Sequence, residues 1–341
     1  MNIKLTYCWL LFLLISTALF AQDSTTTVTA EKGDGIYSLL RKKGINPYKY
    51  YDEFISLNSS NLRDSTHLYE GKVYRLPKVD TLSIQPEINT TVAGPIVKVS
   101  HDIFGEKHKE TSIKSNRLSG AIYYLISGHG GPDPGTVTNY NNQIIAEDEY
   151  AYDVTLRLAK ELIAHGAIVY MIVRDENDGI RNERILTIDY DEVVYPNERI
   201  PLNQMQRLKQ RTETVNALYN KHQGAYRRLI VTHVDSRSSG RNIDVFFYHH
   251  KKSKNGKKLA VSIHQTFKEK YKKYQPNRAY TGTFSHRNLY LVKNTLPAMA
   301  YIEIGNIKNE KDQRRIMYPV NRQALAEWIA EGVLVDFENG I

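Results

Sequence analysis

The sequence is short of cysteine, of long apolar runs and of concentrated charge, and each shortage removes a class of function. Its one cysteine among 341 residues, Cys8, lies inside the first apolar segment. Removal of that segment would leave no thiol, so neither a disulfide framework nor a thiolate nucleophile would be available. Any metal must then be held by His, Asp or Glu. Beyond residue 21 no apolar stretch approaches the roughly 20 residues of a membrane-spanning helix. Lys plus Arg number 46 against 37 Asp plus Glu, a formal charge of +9. The basic residues are spread along the chain without a dense block, so nucleic acid is not indicated as a partner. What is present is globular material: 41% hydrophobic and 24% charged residues exclude global disorder. At roughly 100–200 residues per unit the chain has room for about two folded domains. Tyrosine is abundant at 24, but it stacks on sugars and packs ordinary cores alike, so the count assigns no role.

Residues 1–21, MNIKLTYCWLLFLLISTALFA, read as an address. Lys4 supplies a positive start, Cys8 to Leu14 are apolar throughout, and Ser16, Thr17, Ala18 and Ala21 close the stretch with small residues. This pattern predicts a secretory signal peptide cleaved after Ala21, with Leu19 leaving the exact cut open. Cys8 follows Tyr7 rather than a small residue, unlike a lipid-attachment site. Export to the periplasm or cell envelope is expected, with no membrane span left after cleavage.

Residues 27–77 form a small unit. A Gly33-Asp34-Gly35 turn precedes Ile36, Leu39 and Leu40 at helical spacing; Tyr50, Phe54 and Leu57 mark a second helix. Val73, Tyr74 and Leu76 end the unit as a strand closed by Pro77. This β-α-α-β order, with its Gly-Asp turn, Asn58 and Gly71, resembles a LysM domain. The resemblance implies binding of the N-acetylglucosamine-containing glycans of peptidoglycan or chitin. Gly35 departs from it, standing where Thr or Ser is usual. Residues 78–95 carry Thr and Pro without sustained periodicity and read as a linker. The second domain is expected over 96–341, beginning with a strand or hairpin in 96–120.

From Ala121 onward strands and helices alternate, which predicts an α/β fold, a mixed sheet with helices on both faces. Strands are expected at Ala121–Ser127, Ile168–Val173, Leu229–Thr232, Ile243–Tyr248 and Met299–Ile304. Helices are expected at Glu147–His165, Met205–His222, Leu259–Tyr274 and Arg322–Val335. In such sheets ligands sit beyond the carboxyl ends of strands. His129 follows the first strand in the turn GHGGPDPG, His233 ends LIVTH, and Glu303 lies near the end of MAYIEI. Glu147 opens a helix and shares the stripe of Tyr150, Ala151, Val154 and Leu158, whereas Glu149 falls on a more polar face. Glu147 is therefore expected to be the inward acid of the three in EDE. Two His and one carboxylate make a sensible zinc set that leaves a position for water. Glu303, a carboxylate inside an apolar strand, needs a metal, a cation or a functional role, and could move a proton between that water and a leaving nitrogen. Residues 176–203 exceed what a connection needs, which suggests either a lid or a surface insertion. His249 and His250 are adjacent and cannot both face one metal from a strand; they read as surface or groove residues, and His286 as near substrate.

The order SGHGG-PDPG, a Glu-initiated helix ending RLAKELIAHGA, VYMIVRD, RLKQRTETVNALYN, IVTHVDS, DVFFY and LPAMAYIEIGNIKN resembles the zinc-dependent N-acetylmuramoyl-L-alanine amidases of the amidase_3 type, over roughly 119–338. The resemblance implies Zn2+ held by His129, Glu147 and His233, with Glu303 catalytic. It further implies substrate-shaping or structural roles for Arg211 and Asn309. Asp235 and Asn306 stand where the family often has Asn and an aromatic, and either difference bears on the substrate groove. The implied reaction is hydrolysis of the amide between N-acetylmuramic acid and L-alanine in peptidoglycan, the implied partner. An activating protein is left open. Two other classes stay open here: a non-catalytic peptidoglycan-binding protein on the same fold, and a zinc peptidase cutting within the stem peptide.

Overall fold

The computed structural model describes residues 26–78, 97–236 and 240–340, apart from 33, 44, 46 and 64–66. The signal peptide expected at 1–21, and the linker expected at 78–95 except Lys78, lie outside the described residues. The chain divides into two compact units, residues 1–87 and 88–341.

In the first unit β1 (Thr27–Thr29), α1 (Ile36–Lys42), α2 (Pro47–Asn58) and β2 (Val73–Arg75) follow in the expected order. β1 and β2 pair antiparallel, with Val28 opposite Tyr74. Leu39, Leu40, Phe54 and Tyr74 form a fully enclosed centre. Leu57, read as apolar support for the second helix, is 37% exposed. The buried Asn58 fastens α2 to β2: its Nδ2 donates to the Phe54 and Arg75 carbonyls and its Oδ1 accepts from the Arg75 N–H. A buried amide satisfied on both ends costs little and fixes the helix end against the strand.

The second unit opens with the hairpin β3 (Lys98–Ser100) and β4 (Glu110–Ser112). Then come β5 (Ala121–Ser127), the hairpin β6 (Val137–Tyr140) and β7 (Gln143–Ala146), α3 (Glu147–Ala164) and β8 (Ile168–Met171). β9 (Val173–Arg174), β10 (Val193–Val194) and β11 (Glu198–Arg199) form a small antiparallel sheet, followed by α4 (Gln204–Lys221) and β12 (Tyr226–Asp235). β13 (Phe246–His249), α5 (Lys254–Tyr274), β14 (Thr283–His286), α6 (Tyr290–Asn294), β15 (Ala298–Asn306), α7 (Glu310–Met317) and α8 (Pro319–Glu338) complete the chain. The main sheet has six strands in the order β14-β13-β15-β12-β5-β8. It is mixed, because β13 runs antiparallel to β15 while β12 runs parallel to both β5 and β15. Among the described residues no helix is long and apolar enough to cross a membrane.

Strand β5 is buried throughout, and its side chains alternate between two cores. Tyr123 and Leu125 join α3, α5 and α8 on one face. Ile122, Tyr124 and Ile126 join α4 and α6 on the other. Strand β12 extends beyond the expected Leu229–Thr232 because both ends find partners: Tyr226 opposes Ala121, and Asp235 opposes Asn306.

Helix α3 departs from the amphipathic reading. Asp148 and Glu149 are 1% and 2% exposed, as enclosed as Glu147 at 4%. Segment 176–203 covers the face that the sequence marks as polar. Arg181 Nη2 lies 2.9 Å from Glu149 Oε2, and the Asp189 N–H donates to Glu149 Oε1. Deeper along the helix, Asp153 accepts from both Arg157 and the fully buried Arg322 of α8. Arg322 also donates to the carbonyls of Met317, Arg181 and Glu183. The 176–203 segment is thus fastened to two helices.

Helices α5 and α8 are in close backbone contact at Gly332, where an added Cβ would lie 2.5 Å from the Ile263 Cα. Intrinsic propensity favours alanine over glycine in a helix by about 1 kcal/mol, but backbone displacement by overpacking costs about 1–3 kcal/mol. Gly332→Ala is therefore expected to destabilise the protein in chemical denaturation; a stabilised variant would contradict this contact.

Candidate functional site

The site forms where the loop after β5 and the carboxyl end of β12 meet the start of α3. After Ser127 the chain turns sharply. His129 itself has φ +66, followed by Gly130 and Gly131 at +101 and +62. A non-glycine residue in the left-handed region carries strain that surrounding structure must hold, a pattern common at functional sites. Here the Gly130 N–H donates to the Asp133 carbonyl, and Arg211 Nη2 donates to the His129 carbonyl at 2.7 Å.

Three side chains converge. His129 Nε2 lies 3.3 Å from Glu147 Oε1, and His233 Nδ1 lies 3.0 Å from the same oxygen. The two imidazoles meet edge to face at 4.9 Å. Glu147 is positioned by backbone donors, Thr136 N–H to Oε2 and Val234 N–H to Oε1. His233 stacks on Tyr301 at 4.7 Å. His129 Nδ1 faces Asp133 Oδ2 at 3.1 Å, and Asp133 is in turn held by Arg207 Nη2 at 2.8 Å. A ring nitrogen engaged by a carboxylate while the other faces the centre is the arrangement that orients a metal-binding histidine.

Burial acts to lower the His129 pKa, but the neighbouring Asp133 and Glu147 outweigh it and raise it to about 10. Burial acts to raise the Glu147 pKa, and the two histidines outweigh it and hold Glu147 well below the usual carboxylate range. For His233 burial prevails and its pKa falls. The centre therefore attracts positive charge, and two imidazoles with one carboxylate suit a borderline cation such as zinc. On its backbone side the two histidine rings are packed tightly. A Cβ on Gly128 would sit 2.3 Å from His233 Nδ1, and one on Gly135, at φ +69, 2.7 Å from His129 Cδ2.

The three residues line a cleft of about 370 Å³ together with Asp133, Arg207, Arg211, Asp235, Tyr301 and Glu303. Glu303 is 2% exposed. It sits opposite His233 on the neighbouring parallel strand, so both side chains leave the same face of the sheet. Just past this pair the register slips, from His233↔Glu303 to Asp235↔Asn306. Such irregularities re-aim side chains beside active sites.

Residues 124–335 match the model of the Amidase_3 family, described as N-acetylmuramoyl-L-alanine amidase. The chain belongs to this family. No curated protein matches it. Among solved structures it is similar to the CwlD amidase of Clostridioides difficile, whose structure is in complex with the GerS lipoprotein, at 19% identity over 64% of this chain and 98% of that one, TM-score 0.48. It is also similar to Ami1 of Mycobacterium smegmatis, at 16% identity over 65% and 99%, TM-score 0.46, and to AmiC2 of Nostoc punctiforme, at 16% identity over 64% and 97%, TM-score 0.45.

Of the residues singled out in the sequence, His129, Glu147, His233, Glu303, Arg211 and Asp235 come together at the cleft. Asn306 and Asn309 do not. Asn306 is fully buried, with Nδ2 donating to the Arg241 carbonyl and Oδ1 accepting from the Lys308 N–H. Asn309 caps α7, accepting from the Lys311 and Asp312 N–H groups, and donates to the Gly240 carbonyl. Their short polar side chains are engaged by backbone groups of the β12–β13 connection and of the turn leading into α7. His249 is buried rather than at the surface, with Nδ1 within 3.0 Å of the His250 carbonyl oxygen. His286 pairs with His249 on the edge strand β14 and is not among the residues that line the cleft. Among the described residues that line the cleft none comes from 176–203; the segment is anchored to α3 and α8 instead. Sequence reading passed over Asp133 and Arg207. The spacing of Asp133 four residues after His129, inside a glycine-rich turn, was the available signal; nothing local marked Arg207.

Gly128→Ala removes no side chain of the site yet drives a methyl into the His233 ring. It is expected to lower metal affinity by about 10–100-fold, the cost typical of losing ligand orientation, measured by competition with a chromogenic chelator. Unchanged affinity would mean that His233 does not take part.

Proposed function

We propose that the protein is an exported, zinc-dependent hydrolase that cuts the amide between the lactyl group of N-acetylmuramic acid and the L-alanine of the stem peptide. The observation that carries this reading is the convergence of His129 and His233 on one Glu147 oxygen, in a cleft that Glu303 also faces. His129, Glu147 and His233 would hold the metal. When bound, zinc supplies a Lewis acid and a water of lowered pKa.

The remaining work falls to the chain's own residues. Glu303 takes the proton as water adds to the carbonyl carbon, then delivers it to the nitrogen as the C–N bond breaks. Its place beside His233 in the parallel register keeps the carboxylate next to the metal-binding face. Asp133, braced by Arg207, keeps His129 in one ring orientation. Arg211, which is 4% exposed, holds the His129 carbonyl and with it the turn that carries the imidazole. Asp235 lines the same cleft and is the residue we assign to substrate contact. The N-terminal β-α-α-β unit supports a glycan-holding role of the LysM kind, which would keep the hydrolase on its polymeric substrate. A signal peptide at 1–21 would deliver the enzyme to the envelope where that polymer lies.

Glu303→Ala is expected to lower turnover by about 10²–10⁴-fold, the usual share of a general base, while retaining one zinc per chain. His129→Ala and His233→Ala are expected to lose the metal. The decisive measurement couples zinc content with product identity: digestion of peptidoglycan should release stem peptides with N-terminal alanine, identified by mass spectrometry. Peptides cut internally would replace this reading with a peptidase, and binding without cleavage in zinc-loaded protein would replace it with a glycan-binding protein.

A further inference from the structure

Behind the histidine turn lies a second group of metal-ligating side chains, separate from the first. Asp148, Glu149 and Glu192 each place a carboxylate oxygen within 4.8 Å of the other two. All three are buried, at 1%, 2% and 5% exposure. Their partners account for only part of this charge. Glu149 pairs with Arg181 at 2.9 Å and accepts from the Asp189 N–H. Glu192 accepts from the Gly131 N–H at 2.5 Å. Asp148 Oδ1 accepts from the Glu149 N–H, while its Oδ2, also buried, has no hydrogen-bond partner among the described residues. Arg181 is itself shared with Asp178. Enclosed carboxylates with so little counter-charge are expensive unless they take up protons or a cation joins them.

We propose that Asp148, Glu149 and Glu192 form a second divalent-cation site, distinct from the His129–Glu147–His233 centre and selective for a hard ion of the calcium type. The donor set is all oxygen, which suits calcium or magnesium and disfavours zinc. Two oxygens bound to one calcium at about 2.4 Å are separated by no more than about 4.8 Å, and flexible ligand geometry is tolerated. The three ligands come from two places in the chain, the first turn of α3 and the residue that leads into β10. The ion therefore clamps the 176–203 insertion onto α3. Through the bond from Gly131 to Glu192 it also steadies the backbone two residues from His129.

The test uses zinc-loaded protein freed of other metals, so that calcium cannot fill the first site. Equilibrium dialysis against calcium chloride should show one calcium per chain while the zinc content stays constant. Calcium should raise the melting temperature and slow proteolysis within 176–203. Glu192→Gln should abolish the calcium-dependent rise and leave zinc in place. Should Glu192→Gln fold poorly, Asp148→Asn takes its place in the same dialysis, with loss of the bound calcium expected and wild-type binding overturning the proposal. Absence of bound calcium, magnesium or manganese at millimolar concentration overturns the proposal. So does a Glu192→Gln variant that binds calcium as wild type does. Neither outcome bears on zinc content or product identity, so this inference and the amidase reading fail independently.

Discussion

The site depends on the central position of β12. That strand runs parallel to β5 on one side and β15 on the other, and so brings the ends of all three to one edge. From β5 comes the turn carrying His129, from β12 His233, and from β15 Glu303. Were β12 to slip by one residue, His233 would pass to the opposite face of the sheet. The register is held by burial on both faces, since Ile230 and Val231 belong to different cores. The side-chain contact between Thr155 of α3 and Thr232 of β12, at 2.5 Å, fixes the height of the helix over the strand. Glu147 thereby begins its helix level with His233. Packing of ordinary apolar residues thus sets the ångström-scale convergence of three polar ones.

Much of this was legible in the sequence, for a physical reason. Buried parallel strands are written as continuous apolar runs, and AIYYLIS, LIVTH and MAYIEI are such runs. Each places a chemically capable residue at or near its carboxyl end. Helix positions followed from periodicity, and Glu147 from its place on the apolar stripe. What escaped notice was set by partners distant in sequence. Glu149 looks solvent-facing by helical spacing, but a segment some 30 to 40 residues later covers it. Asn306 ends β15 and Asn309 follows it by three residues, yet their side chains turn to the Arg241 and Gly240 carbonyls. Neither spacing nor composition records which face a later segment will cover.

The electrostatics of the catalytic unit run against those of the chain. Its formal charge is +9, yet the first turn of α3 gathers Glu147, Asp148 and Glu149 in the interior. Three acids at a helix N-terminus are favoured by the unsatisfied N–H groups there, and this softens the cost of enclosing them. Glu147 looks towards two histidines, whereas Asp148 and Glu149 look towards Glu192 and Arg181. One helical turn thus serves two environments of different ligand chemistry, nitrogen-rich in front and oxygen-rich behind.

Arg322 offers a different lesson. Fully buried, it spends its donors on one carboxylate and several main-chain carbonyls, those of Met317, Arg181 and Glu183 among them. A carbonyl is present whatever the side chain, so recognition of the 181–183 backbone places little demand on the residues that occupy it. Glu183 can change under mutation while this attachment persists, provided Arg322 and Asp153 are kept, whereas Arg181 is held through its side chain as well, by Glu149. Part of the insertion's attachment is consequently indifferent to sequence, and its exposed positions can change chemistry while the buried contacts of Arg181 and Glu192 persist.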